Sequence, residues 1–144
     1  MLIKIGQRAK QFVFANQLVL SLALLSGFLT IIANRSGVGW SWDTSDYVAV
    51  GKNFASRNGL LDATGIPMTV RPPGLSIFIG LGDLLGLSVN LTVQILNSVC
   101  AAVLVLGAHQ LLQIAEVKKS IAVLATAFIA FSPALLWQYS MIWS

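Results

Sequence analysis

Charge is scarce in this chain: five acidic and nine basic residues among 144, 10% charged in all. So dilute a supply, with 56% hydrophobic residues and a mean hydropathy of +0.81, excludes an ordinary water-soluble domain and points to the integral membrane class. Cysteine is scarcer still. Cys100 stands alone inside an apolar run, which excludes a disulfide framework and a cysteine-based metal cluster. No internal repeat or low-complexity tract is present, and basic residues are not interleaved with aromatics, so a nucleic-acid partner is excluded. The net charge of +4 sits at the ends of the apolar runs and reads as topology information.

What the chain has in abundance is long uncharged sequence: Gln11 to Asn34, Leu84 to Ala115 and Ser120 to Ser144. Each is near or above the ~20 residues that cross a bilayer as helix. The expected fold is therefore an all-α integral membrane protein with spans near 12–33, 91–115 and 121–139. The first span exceeds the ~7–15 residues of a signal h-region and no A-x-A site follows it, so it reads as uncleaved. Lys4, Arg8 and Lys10 place the N-terminus in the cytoplasm and the loop 34–73 outside, by the bias of basic residues toward the inner face. Residues 74–87 are short and carry Asp83. If they spanned, Lys118 and Lys119 would join the outer bases, so an interfacial or re-entrant half-length helix is the better reading. Trp137, Tyr139 and Trp143 suit a membrane boundary, and the outer loop and the C-terminal end are expected to meet on one face.

That outer loop holds Asp43, Asp46 and Asp62 out of five acids, with Arg35, Lys52, Arg57 and Arg71 among nine bases. Asp43 to Asn58 reads as a helix, with Tyr47, Val50 and Phe54 on one side and Gly59 as its stop. Its apolar stripe is expected on the membrane surface or on the other spans. Asp62 to Gly65 reads as a turn, and Pro72-Pro73 as an extended approach into the first turn of the next helix. Asp43 has two readings: an N-cap with Asp46 three residues on, or a catalytic acid with Tyr47 and Arg71 as company. Arg71 is either an interfacial snorkelling side chain or an anion clamp. Asp83 should face protein or water, and His109 should bond one helix to another. Gly82 and Gly86 form a G-x-x-x-G spacing. Asn34-Arg35-Ser36 and Asn90-Leu91-Thr92 fit the glycosylation sequon.

In their order, the basic N-terminus, Asp43-Thr44-Ser45-Asp46-Tyr47, Arg71-Pro72-Pro73-Gly74, Gly86 and Ser132-Pro133 resemble the start of integral-membrane glycosyltransferases of the GT-C type. The likeness is to the bacterial branch related to the protein O-mannosyltransferases and the aminoarabinose transferase of lipid A. The resemblance implies transfer of a sugar from a polyprenyl-phosphate donor to an acceptor outside the inner (plasma) membrane. It makes Asp43 the base, Arg71 the contact to the lipid phosphate, and Asp46, Tyr47, Pro72 and Pro73 substrate-binding residues. It implies no cofactor beyond a divalent metal, whose need is left open. Members have more spans and a further acidic residue past the third, so the chain is expected to be an N-terminal portion that is not active alone. The competing expectation is a small non-enzymatic anchor or assembly subunit; a transporter fragment ranks last, because only His109 lies mid-span.

Overall fold

The computed structural model describes residues 17–69 and 71–142, and among these it is all-helical. Six helices follow in order: α1 (Gln17–Ala33), α2 (Thr44–Ala55), α3 (Gly74–Leu84), α4 (Val89–Ile114), α5 (Lys119–Ala130) and α6 (Pro133–Gln138). Two stretches are long and apolar enough to cross a membrane: α4, and α5 with α6 as Lys119–Gln138. Three were expected. The 17 described residues of α1 fall short of the ~20 needed, and residues 12–16 of the expected first span lie outside the described ones, as do Lys4, Arg8, Lys10 and Trp143.

The long helix is bounded by its own sequence. Ser88 is extended (ψ 154°) and its Oγ accepts from the Leu91 N–H at 3.3 Å, an N-cap that starts α4 two residues before the expected position. Its far end closes with Val117 N–H on Leu112 O and Glu116 N–H on Gln113 O, Glu116 taking φ 56°. The expected third span is interrupted. Pro133 has no N–H to continue the ladder, so the helix stops at Ala130 and restarts with Pro133 in its first turn.

Val19, Leu22, Ala23, Ser26, Gly27 and Thr30 recur at helical spacing and form the buried face of α1. Gly27 lets α4 approach so closely that the Ser98 Oγ donates to the Gly27 carbonyl at 2.9 Å. Leu22, Ala23, Val105 and Ala130 form a core where α1, α4 and α5 meet. Nearby, buried His109 joins α4 to α5 as expected, its Nδ1 3.0 Å from the Thr126 Oγ1. The outward faces keep Leu24, Phe28, Leu111 and Phe128 exposed.

The loop 34–73 is held down by a second core, Val38, Tyr47, Ile79, Val93 and Ile142. α2 is shorter than expected, ending at Ala55 with Arg57 at φ 63° and Gly59 at φ 85°. Its apolar stripe meets α3 instead of a membrane surface. There Gly51 packs on Ser76 and Ile79, and Gly80 packs on Gly51 and Phe54. The G-x-x-x-G pair does not act as one motif. Gly82 packs on Thr92, whereas Gly86 (φ 74°) has no neighbour and serves as the left-handed cap of α3, with Leu87 N–H on Gly82 O. Asp83 is exposed beside that cap.

The C-terminal segment returns to the loop, as expected. Gly39 N–H donates to Ser140 O at 2.7 Å and Ile142 N–H to Gly39 O at 2.9 Å. Asn34 is fully buried, its Nδ2 donating to Thr30 O and Tyr139 O, so the first sequon is closed to modification in this fold. Asn97 donates to Tyr139 O and Met141 O.

Candidate functional site

Asp43 and Asp46 occupy the start of α2, one turn apart and therefore on one side. Arg71 reaches them from the segment ahead of α3. Its Nη2 lies 2.7 Å from the Asp43 Oδ1 and its Nη1 3.1 Å from the Asp46 Oδ2. One guanidinium thus bridges two carboxylates, leaving the trio with one net negative charge at the positive end of a helix. Nη1 is buried, yet its hydrogens line up on no acceptor among the described residues, so the Asp46 contact is an ion pair without a well-aligned hydrogen bond.

Asp43 does not meet the N-cap reading here. It stands at the N-cap position, but its backbone is already helical (φ −83°, ψ −15°) and its side chain makes no cap bond. A capping side chain works from an extended backbone. The carboxylate is instead turned to Arg71. The N-terminal turn is tied elsewhere: Ser41 N–H donates to the Thr44 Oγ1 at 2.8 Å, and the Ser41 Oγ donates to Ile142 O at 3.1 Å.

Tyr47 is the floor of this arrangement. It is 0% exposed, and the Arg71 guanidinium carbon sits 5.8 Å from its ring centroid, within cation–π range. Its hydroxyl is buried without a partner among the described residues. So complete a burial lets Tyr47 reach the site only through its ring face. Pro72 and Pro73 fix the backbone between Arg71 and α3, Pro73 standing at the N-cap of α3 (φ −77°). They are exposed.

A cleft of about 240 Å³ opens beside the ion pairs, lined by Asp46, Asp62, Ile66, Pro67, Met68, Thr69 and Arg71. Asp62 was read only as a turn residue. Its Oδ1 accepts from the Thr64 hydroxyl (2.7 Å), the Thr64 N–H (2.8 Å) and the Ile66 N–H (3.0 Å). These bonds, the Thr64 hydroxyl first and Ile66 next, hold its carboxyl below the usual carboxylate range. The turn is pinned to α2 by Asn53, whose Nδ2 donates to Leu61 O and Asp62 O. The pattern Asp62-x-Thr64 is a known local turn signal, but nothing in it says that the turn walls a cleft. Trp42, next to Asp43, is 97% exposed. Among the described residues no group of three or more His, Cys, Asp or Glu is placed to hold a metal ion.

Both guanidinium nitrogens that face the carboxylates are already paired, while the second oxygen of Asp43 takes no hydrogen bond from the described residues. Compared with known proteins, the chain matches no protein family, no curated protein and no solved structure.

Proposed function

We propose that this chain is the N-terminal part of an integral-membrane glycosyltransferase that transfers a sugar from a polyprenyl-phosphate donor to an acceptor outside the bacterial inner membrane. In this reading α1, α4 and α5 with α6 cross the bilayer, the N-terminus is cytoplasmic, and α2 and α3 lie at the outer interface. The observation that carries it is the convergence of Asp43, Asp46 and Arg71 over the ring of Tyr47, from two segments far apart in sequence. An ion pair serving only to staple the fold needs no second carboxylate and no open cleft. Exposed Asp83 at the end of α3 supports an interfacial α3, since a carboxylate in hydrocarbon is expensive.

The chemistry follows from the parts. The acceptor hydroxyl gives its proton to Asp43 as its oxygen attacks the anomeric carbon. The bond from that carbon to the phosphate oxygen breaks on the opposite face, with inversion, and its electron pair leaves on the phosphate, which Arg71 neutralises. Asp46 keeps Arg71 oriented when Asp43 is engaged with the acceptor. At about 240 Å³ the cleft falls below the roughly 300 Å³ where ligand pockets begin, room for a headgroup and not for a whole lipid-linked donor. Sugar transfer by membranes containing the complete protein tests the reading. Asp43→Asn is expected to slow it by about 10²–10⁴. Transfer at the wild-type rate, with Arg71→Gln equally tolerated, leaves the alternative of a non-enzymatic membrane anchor or assembly subunit.

A further inference from the structure

We propose that Trp40 and Trp42 anchor the outer loop in the phospholipid interface and so seat the Asp43–Arg71 pair at the depth of the lipid headgroups. The inference rests on the membrane reading and not on the sugar-transfer chemistry. A single exposed apolar side chain on a protein surface needs no explanation. Here three of the chain's four tryptophans, Trp40, Trp42 and Trp137, are exposed, Trp42 at 97%, and the hydrogen bonds around them set them near one level.

That level is where the helices end. α1 stops at Ala33 and α6 at Gln138, and the residues that follow them are joined, the Asn34 Nδ2 donating to Tyr139 O at 2.9 Å. The Gln94 Nε2, in the second turn of α4, donates to Asn34 O at 2.6 Å, so the outer ends of all three meet here. Gly39 is paired with Ser140 and Ile142, and the Ser41 Oγ is bound to Ile142 O. Trp40 stands between these two tied residues and Trp42 follows the second, each one Cα step of ~3.8 Å away. The backbone is held to the core while both indoles are left out of it. In water such a ring keeps its apolar area exposed. A lipid interface gives each part of it a partner, acyl chains for the ring and headgroup oxygens for the N–H. Arg35 is exposed at the same level, makes no ion pair with a described residue, and complements lipid phosphate. Exposed Phe28, Ile31 and Ile32 of α1 continue the apolar surface away from it along the span. Asp43 follows Trp42 directly, and the anchor therefore sets the depth of the site.

The test is depth-resolved fluorescence quenching of the complete protein in phosphatidylcholine vesicles, with Trp42 as sole tryptophan and every other replaced by phenylalanine. Brominated lipids quench from a known depth and iodide quenches from water. The expected result is stronger quenching by bromines near the headgroup end of the acyl chain than near its methyl end, with iodide quenching several-fold below that of the unfolded chain. Leu24→Trp as sole tryptophan is the control. Leu24 is 73% exposed and nine residues before the end of α1, about 14 Å deeper, and should show the opposite depth order. Iodide quenching of Trp42 as strong as in the unfolded chain, with none by lipid, puts the indole in water, open to a soluble glycan, and overturns the proposal. Quenching by neither means that the rest of the protein covers it, which also overturns it. If lipid fails to quench at position 24 as well, the membrane reading itself falls. Should so many replacements disturb folding, a nitroxide on Trp42→Cys in an otherwise cysteine-free protein gives a second readout. Its ratio of collisions with oxygen to collisions with a water-soluble nickel chelate should lie between those of Leu24→Cys and of the free label in water. A ratio equal to the free label, or few collisions with either, overturns the proposal. Neither readout uses sugar transfer, so its failure is distinct from failure of the enzyme reading.

Discussion

Gly80→Ala tests whether the α2–α3 contact positions the site. A Cβ at Gly80 would stand 2.6 Å from both the Gly51 carbonyl oxygen and the Phe54 Cδ1. The phenyl ring can turn aside, but the carbonyl belongs to the backbone of α2. Restoring an ordinary contact of 3.4 Å requires the two helices to separate by about 0.8 Å, the difference between the two distances. Overpacking of this kind costs ~1–3 kcal/mol, and the helix gains back up to ~1 kcal/mol from the better propensity of Ala. The net loss expected is about 1–2 kcal/mol, a shift of a few degrees in thermal unfolding of the purified protein. Because Asp43 and Asp46 ride on α2 while Arg71 is tied to α3, the same displacement should weaken sugar transfer. Gly107→Ala is the control, since a Cβ there meets nothing within 4 Å and should stabilise α4. A Gly80→Ala protein as stable as wild type, or a Gly107→Ala protein equally damaged, refutes the reasoning.

Other perturbations separate stability from function. Arg71 and its partners are 27%, 39% and 49% exposed, so Arg71→Lys should change stability by only about 0–1 kcal/mol. Sugar transfer should nevertheless fall sharply, because an ammonium cannot bridge two carboxylates as a planar fork does; unchanged transfer would remove Arg71 from the site. The Thr126 hydroxyl gives its hydrogen to Ala122 O at 2.7 Å, which leaves the His109 Nδ1–H as donor to Thr126. Thr126→Val strands that donor and should cost about 0.6–1.7 kcal/mol in chemical unfolding; no change would mean that the pair does not hold α4 to α5. Asp62 has a lowered carboxyl pKa, so its stabilisation of the 60–68 turn is present above the ordinary value of 3.8 and is lost as pH falls through the lower folded value. Protection of the Thr64 and Ile66 amides against hydrogen exchange, taken relative to their intrinsic rates at each pH, should therefore fall below that range in the wild type but stay level in Asp62→Asn, which keeps an acceptor at every pH.

Charge and hydropathy made the helices legible because both are carried along the chain. The meeting of the outer loop with the C-terminal end followed from topology and the bond from His109 to a neighbouring helix from its place mid-span, whereas the Ser88 cap, which starts α4 two residues early, was not read. The α2–α3 contact was not legible: Gly51 and Gly80 meet across helices, and neither belongs to a recognisable spacing, while the spacing that was recognisable, Gly82 and Gly86, divides into a packing site and a cap. The break at Phe131-Ser132 was hidden for another reason. Its residues are as apolar as a continuous span, and only the missing N–H of Pro133 betrays it. In the loop, composition brought Asp43, Asp46 and Arg71 to attention, but not that Tyr47 would lie wholly beneath them.

Asp43 shows why the site needed a structure. An aspartate before a helix has the same pattern whether it caps or catalyses, and the backbone angle here argues only against the cap. Loss of a side-chain cap costs about 0.5–2 kcal/mol. Since Asp43 makes no cap bond, Asp43→Ala should cost less than this range, limited to a half-exposed ion pair and the helix dipole. Asp43→Asn and Asp43→Ser, both good caps, should then give no rescue of sugar transfer over Asp43→Ala. The two properties must move apart: stability near wild type in all three variants, transfer lost in all three. If instead stability and transfer both fall in Asp43→Ala and both return in Asp43→Ser, the carboxylate is a cap after all, and its ion pair with Arg71 is a consequence of where the helix begins.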